Sequence, residues 1–384
     1  MPASTATRVL DGRVPAYDEA LSPDEIIARV EASGLRGRGG AGFPLARKLA
    51  AVRANGAGGD TFVIANAYDA DPDSPLSRTL LQRNPDAVRE GIEIAAAAVG
   101  ARRRFLYLRP DAEAPDWGDD VEVVRGTGGF MGGEETALLA VLESRRAMAR
   151  QRPPYPAQQG LGLRPTLISS AESLAWLPYA LSGAAATTKL ISVTGSVARP
   201  GVYEVTLGTT LGAILDQAGG VTGTLKGIHV GGPTGGILAA SRTSTSYGFD
   251  ELKAVGTHVG SGQVRAIGSG VCVVNEASKL FAYLAQETCG ICVPCRVGTA
   301  RVTGILQGIT SGLGRSEDLP WLDELAGHLN AFSLCGFGIT SASIIRTTRA
   351  EFPEDYGVHI EEGRCPTGTC ATSRARRYET MVQP

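Results

Sequence analysis

The chain lacks any apolar run approaching the ~18 residues that a membrane-spanning helix requires, so no direct membrane insertion is expected. It also lacks an excess of either charge. Its 37 Lys and Arg residues offset 39 Asp and Glu, a formal net charge of −2, which argues against a nucleic-acid partner. Met1 to Arg8 have no apolar core of the signal-peptide kind, so a cytoplasmic protein is expected. Histidine is scarce, with four in 384 residues, and one that falls among cysteines therefore stands out.

Glycine and cysteine are what the chain does have. Its 50 glycines gather in short runs, where backbone approaches something closely. Its seven cysteines stand at metal-type spacings without a secretory signal, which points to a reducing compartment rather than to disulfides. The length and a hydrophobic content of 43% suit an ordinary globular protein of two or three domains.

Cys289, Cys292 and Cys295 form a C-x-x-C-x-x-C run, and Cys335 follows in Ser333-Leu-Cys-Gly-Phe-Gly338. Three thiols on one tight turn plus one remote thiol is the supply that a [4Fe–4S] cluster needs. A four-cysteine zinc site is the plainer alternative, but zinc usually draws on two separated C-x-x-C pairs.

Along the chain, residues 1 to about 20 read as a loose lead-in. A helix follows over 23–33 with Ser22 as its N-cap. Strands are expected at 61–65, 104–108 and 122–125, with a helix at 86–99 and another after the 126–137 loop. This alternation predicts an α/β domain with a largely parallel sheet. Strands at 190–194 and 201–205 and a helix at 211–218 predict a small β-grasp module, and a mostly helical pattern from Ala277 predicts a bundle around the cysteine turn. The expected division is 1–186, 187–262, 263–358 and a Cys/His-containing segment 359–384, with a polar, loose stretch from Ala371. No internal repeat is evident.

Gly37-Arg-Gly-Gly-Ala-Gly42 fits G-x-G-x-x-G, but a helix rather than a strand precedes it, which disfavours a Rossmann fingerprint. Its glycines free backbone N–H groups to face phosphates, and Arg36 and Arg38 add positive charge; a flexible turn is the alternative. A second loop, Gly126 to Gly133, ends in Glu134 and Glu135 at a helix start. Acids there suit the helix dipole, or place Glu135 against a nucleotide.

These motifs, in this order, resemble the family of flavoprotein (51-kDa, F-type) subunits of NADH:quinone oxidoreductase, including its hydrogenase- and formate-dehydrogenase-type relatives. The likeness spans roughly residues 22–370. It rests on Gly34-Leu-Arg-Gly-Arg-Gly-Gly-Ala-Gly-Phe-Pro44, Asn66-Ala-Tyr-Asp-Ala-Asp-Pro72, Gly133-Glu-Glu-Thr-Ala-Leu138, Arg152-Pro-Pro-Tyr-Pro156 and the cysteine set. The resemblance implies an α/β FMN-binding domain, a ubiquitin-like (SLBB) β-grasp module and a C-terminal helical bundle carrying the cluster. It implies hydride transfer from NADH to FMN, then single electrons to the [4Fe–4S] cluster.

By the same resemblance, Phe43 and Tyr155 stack with the nicotinamide nucleotide, Lys48 meets a phosphate and Glu135 acts beside the flavin. Gly37, Gly39, Asn66 and Gly133 line FMN, and Arg38, Gly40, Gly42, Asp69, Asp71, Glu134, Ser169 and Ser170 complete the cofactor-binding set. A thioredoxin-like [2Fe–2S] subunit and further iron–sulfur subunits are the implied partners, which would hold the chain peripherally at the inner face of a membrane. The sequence departs from the family at Tyr68, Asp71, Ser169, Ser170, Leu45, Ala46 and Ala51, mostly around the flavin and nucleotide. Two alternatives follow: an electron-relay or scaffold subunit without nicotinamide chemistry, and a flavin subunit that exchanges electrons with ferredoxin.

His359, Cys365 and Cys370 fall within a dozen residues and suggest a Zn²⁺ site, with Cys272 the only cysteine left to supply a fourth ligand. A spare thiol pair is the alternative.

Overall fold

The structure is a computed structural model that describes residues 8–10, 12–56 and 60–370; the expected loose stretch from Ala371 lies outside them. Two compact units divide the chain, 1–192 with 202–208 and 193–201 with 209–384.

Ser22 opens α1 (Pro23–Ala32) through a capping box, in which the Glu25 amide donates to its hydroxyl at 3.4 Å and its amide donates to the Glu25 carboxylate at 2.8 Å. The first glycine loop joins α1 to α2 (Leu45–Asn55), so helices flank it on both sides. There follow β1 (Phe62–Ala67), α3 (Leu76–Arg83), α4 (Pro85–Val99), β2 (Arg103–Leu108) and β3 (Glu122–Arg125). Then come α5 (Glu135–Leu142), β4 (Thr166–Ser170), α6 (Ala171–Ala175) and α7 (Leu177–Leu181).

The four strands are parallel, in the order β3-β2-β1-β4. Parallel strands need both faces covered, and β1 shows how. Its Val63, Ala65 and Ala67 join Leu49, Ile92 and Leu174 in the main core. Ile64 packs on the other face with Tyr68, Phe105, Tyr107, Ile168 and Leu138 of α5. Truncating a fully buried residue here, such as Leu49→Ala, would cost ~2–5 kcal/mol. Strand order turns back at β1, which has β2 on one side and β4 on the other. A crevice for ligands opens at the carboxyl ends of such strands.

A second sheet has the order β6-β5-β9-β7-β8, built from β5 (Thr188–Gly195), β6 (Gly201–Thr206), β7 (Leu225–Val230), β8 (Gly236–Ala239) and β9 (Gln263–Gly268). It carries α8 (Leu211–Gln217) and α9 (Phe249–Ala254). β9 lies past the expected module boundary at 262 and pairs antiparallel with β7. The helical part follows as α10 (Val273–Glu287), α11 (Val293–Thr310), α12 (Asp318–Phe332), α13 (Gly336–Glu351) and α14 (Pro353–Glu361). Thr347 of α13 accepts the Ile237 amide of β8 at 2.9 Å. Among the described residues no helix is long and apolar enough to cross a membrane.

Candidate functional site

The carboxyl ends of β1 and β4 meet in register, with Asn66 opposite Ser170 and Ala65 opposite Ser169. Around this point the fold gathers both glycine loops. Asn66 Nδ2 donates to the Gly133 carbonyl at 2.9 Å. A Cβ at Gly39 would lie 3.6 Å from that of Ser170, and the Arg38 amide donates to Ser173 Oγ at 2.7 Å. Gly40 and Gly42 have φ of 103° and 64°, which is why this loop needs residues without side chains.

Lys48, on α2, donates to the Ile168 carbonyl at 2.7 Å and to Glu135 at 3.2 Å. Glu135 also takes Arg152 Nη1, and Arg152 stands 3.6 Å from Glu134. Burial pushes the Glu135 carboxyl up, but the Lys48 and Arg152 cations outweigh it and hold its pKa below the usual range. Glu134 caps α5, accepting the Thr136 and Ala137 amides at 2.8 and 2.9 Å. Phe43 and Tyr155 are about half exposed, at 53% and 54%, so neither is a core aromatic.

Three expected ligand residues are turned elsewhere. Arg38 is buried, its guanidinium donating to the Arg36 and Ala186 carbonyls at 2.9 Å each and lying 5.8 Å from the Trp176 ring centre. A buried guanidinium needs such acceptors, and these two carbonyls hold it against the loop. Asp69 accepts the Ser77 and Arg78 amides at 2.9 and 2.8 Å at the start of α3, and burial pushes its carboxyl up to about 6. Asp71 is buried and accepts the Asp73 amide at 3.0 Å. Both acids hold backbone.

Tyr68 is buried and fills the space under the second loop. Its hydroxyl donates to the Gly129 carbonyl at 3.0 Å, and its ring stacks on Tyr107 at 5.2 Å. A side chain at Gly126 or Gly132 would collide with it. Beside Gly126 lies the Tyr107 hydroxyl, buried and without a hydrogen-bond partner among the described residues. Lys48, Arg152, Asn66 and the Ser169 and Ser170 hydroxyls gather donor chemistry of the kind that suits an anionic flavin nucleotide.

In the second unit, Cys292 N-caps α11 and Cys335 N-caps α13, so two helix N-termini face the cysteine group. Cys289 follows α10, and Cys295 lies in the first turn of α11. A Cβ at Gly338, in the first turn of α13, would stand 3.2 Å from that of Cys295, so the turn that Cys335 opens packs against Cys295. The turn is braced by Arg296, which donates to the Gly290 carbonyl at 2.6 Å. Burial, with the Cys292 and Cys289 thiols adding, pushes the Cys295 thiol up to about 11. A buried thiol that resists ionising fits a site whose cationic metal centre stabilises the thiolate.

Cys272, His359, Cys365 and Cys370 are all buried, and their ligand atoms all lie within 4.8 Å of one another. His359 Nε2 stands 3.6 Å from Cys272 Sγ and 3.4 Å from Cys370 Sγ, while Nδ1 sits 2.6 Å from the Asp355 carbonyl. With the proton on Nδ1, Nε2 faces the thiols as a ligand would. The hydrogen bond between the two thiols draws the Cys272 pKa down and raises that of Cys370, the mark of sulfurs crowded together. The set matches a tetrahedral zinc site of three cysteines and one histidine.

The sequence reading missed Arg152, although it lies inside the Arg152–Pro156 motif. It also missed Tyr107 and Thr288, which carry no motif of their own.

Two glycine loops at a parallel-sheet switch point, with a cysteine turn and a remote cysteine at two helix N-termini, are features of a flavin- and iron–sulfur-dependent electron-transfer protein. Residues 30–178 match the Nuo51 FMN-binding domain, 190–238 the SLBB domain, and 275–359 the NADH-ubiquinone oxidoreductase-F iron-sulfur binding region. The chain is 34% identical to the F subunit of the NADH-quinone oxidoreductase of Streptomyces coelicolor, over 90% of this chain and 85% of that protein. It is 31% identical to the HndC subunit of the NADP-reducing hydrogenase of Solidesulfovibrio fructosivorans, over 91% of this chain and 79% of that one. Among solved structures, an NAD+-reducing [NiFe]-hydrogenase in the H2-reduced state matches with a TM-score of 0.80 and 29% identity. That match covers 94% of this chain and 67% of the hydrogenase chain. The chain belongs to the family of F-type subunits of NADH-quinone oxidoreductases, with an FMN-binding domain, an SLBB module and a helical [4Fe–4S] region.

Proposed function

We propose that the chain takes a hydride from NADH (or returns one to NAD+) at the crevice of the first unit, and moves single electrons through the four-cysteine site of the second. The carrying observation is the Asn66–Ser170 register, which sets both glycine loops, Lys48 and Glu135 around the ends of β1 and β4. When bound, FMN supplies the conversion between a two-electron nicotinamide and a one-electron cluster. Lys48 holds phosphate charge, Glu135 orients the nucleotide while its own charge is balanced by Lys48 and Arg152, and the exposed Phe43 and Tyr155 rings stack with it. Cys289, Cys292, Cys295 and Cys335 hold the cluster. Cys292 is only partly buried, between exposed Ile291 and Val293, and gives an exit face toward an acceptor subunit such as a thioredoxin-like [2Fe–2S] protein. Association with a membrane would run through such partners. The Cys272–His359–Cys365–Cys370 group holds Zn²⁺ in a structural role, tying the segment after α14 to the start of α10.

The buried Tyr68 favours one second reading, a relay subunit whose flavin site has closed. Acid-released flavin from anaerobically purified protein separates the two. About one FMN per chain, bleached by NADH, is the expected result. Brown protein with no flavin would support the relay.

A further inference from the structure

Two hydroxyls stand at the cysteine cage without belonging to it. Thr288 Oγ1 lies 3.2 Å from Cys295 Sγ, and the same oxygen accepts the Gly290 amide at 3.3 Å. A metal-bound thiolate has no proton to give, so with a cluster in place the Thr288 hydroxyl is the donor of this contact. Ser333, two residues before Cys335, has a hydroxyl oxygen that is buried and has no hydrogen-bond partner among the described residues. It lies against the same point of α13 as Cys295. A Cβ at Gly338 would stand 3.2 Å from the Cys295 Cβ and would collide with Ser333 Oγ. Gly338 therefore keeps open the space between α13, Ser333 and Cys295. A buried hydroxyl without a partner is costly, and no cysteine sulfur takes this one among the described residues, so the acceptor left for it is a sulfur of the cluster itself.

We propose that Thr288 and Ser333 are positioning residues that donate hydrogen bonds to the sulfurs of the [4Fe–4S] site and so raise its reduction potential. The proposal rests on the cluster assignment above. Reduction adds one electron, supplied by the reductant, and no proton, so negative charge grows on the sulfurs. A hydroxyl dipole aimed at them stabilises the reduced form more than the oxidised one. Both hydroxyls act in the same direction as the helix N-termini at Cys292 and Cys335.

The test is EPR-monitored potentiometric titration of the intact protein, with iron and sulfide measured on each sample. Thr288→Val and Ser333→Ala should each shift the one-electron equilibrium about tenfold toward oxidised cluster, a midpoint ~59 mV lower. Ser333→Thr, which keeps a hydroxyl, should hold the wild-type midpoint. Unchanged midpoints in Thr288→Val and Ser333→Ala, at full iron content, would overturn the proposal. Should Ser333→Ala lose its cluster, recovery in Ser333→Thr supports the hydroxyl, whereas loss in both rejects it. Wild-type protein without four iron and four sulfide per chain would instead defeat the cluster assignment itself.

Discussion

Glu135 is held between two cations, Lys48 and Arg152, at the point where nucleotide would enter. Glu135→Gln keeps the shape and removes the charge. NADH turnover should fall at least about tenfold in kcat/KM, ~1.4 kcal/mol of transition-state binding, and an unchanged rate would refute its role. The pH sign follows from the lowered pKa. The ion pairs are present above the ordinary carboxylate value and are lost only as pH falls through the depressed one, so turnover should not weaken near pH 4.5 through this residue. Tyr68 is the other decisive side chain. Tyr68→Phe removes the bond to Gly129 and keeps the ring, so a loss of ~1 kcal/mol in urea unfolding is expected, with flavin content unchanged. Flavin that fell with the hydroxyl would mean that Tyr68 contacts the cofactor.

At the scale of elements, helix N-termini are the recurring device. Cys292, Cys335 and Cys272 cap α11, α13 and α10 without side-chain hydrogen bonds of the usual capping kind, so none of these sulfurs is spent on a cap. Cys292→Ala should therefore abolish cluster iron while leaving flavin in the first unit, as read by metal analysis and acid-released flavin. Loss of both would show that the two sites fold as one. Zinc should be one per chain and should disappear in His359→Ala with cluster iron retained. Iron alone in the wild-type protein would leave the second group as a buried thiol cluster.

For the whole molecule, acid sets a limit through two buried histidines. Burial holds the pKa of both His229 and His258 down at about 4, so each stays neutral in the fold. The unfolded chain takes up those protons near the ordinary value of ~6.5. Stability should thus be complete above about pH 6.5 and fall as pH drops toward 4. Urea midpoints at pH 7, 6 and 5 should decline, and His229→Gln should flatten the decline. Equal slopes in the two proteins would place the acid limb elsewhere.

Much of this was legible in the sequence because it is local. The cysteine turn, the Ser22 cap, the β1 and β2 runs and the glycine loops depend on spacings of a few residues, which backbone geometry fixes before any packing. Cys272 could be named as the fourth ligand only by elimination. Tertiary structure alone brings it to His359, across 87 residues, because α10 and α14 pack so that their ends meet. The pairing of β9 with β7 was likewise hidden, since hydrogen bonding between distant strands leaves no mark in composition. Side-chain direction was the other unreadable quantity. Arg38, Asp69 and Asp71 look like ligands in a motif, yet burial forces each to satisfy backbone groups at hand. Sequence by itself determined which chemistries the chain can hold. Packing decided which polar groups remain available for them, because a buried charge must be paired wherever the fold leaves it.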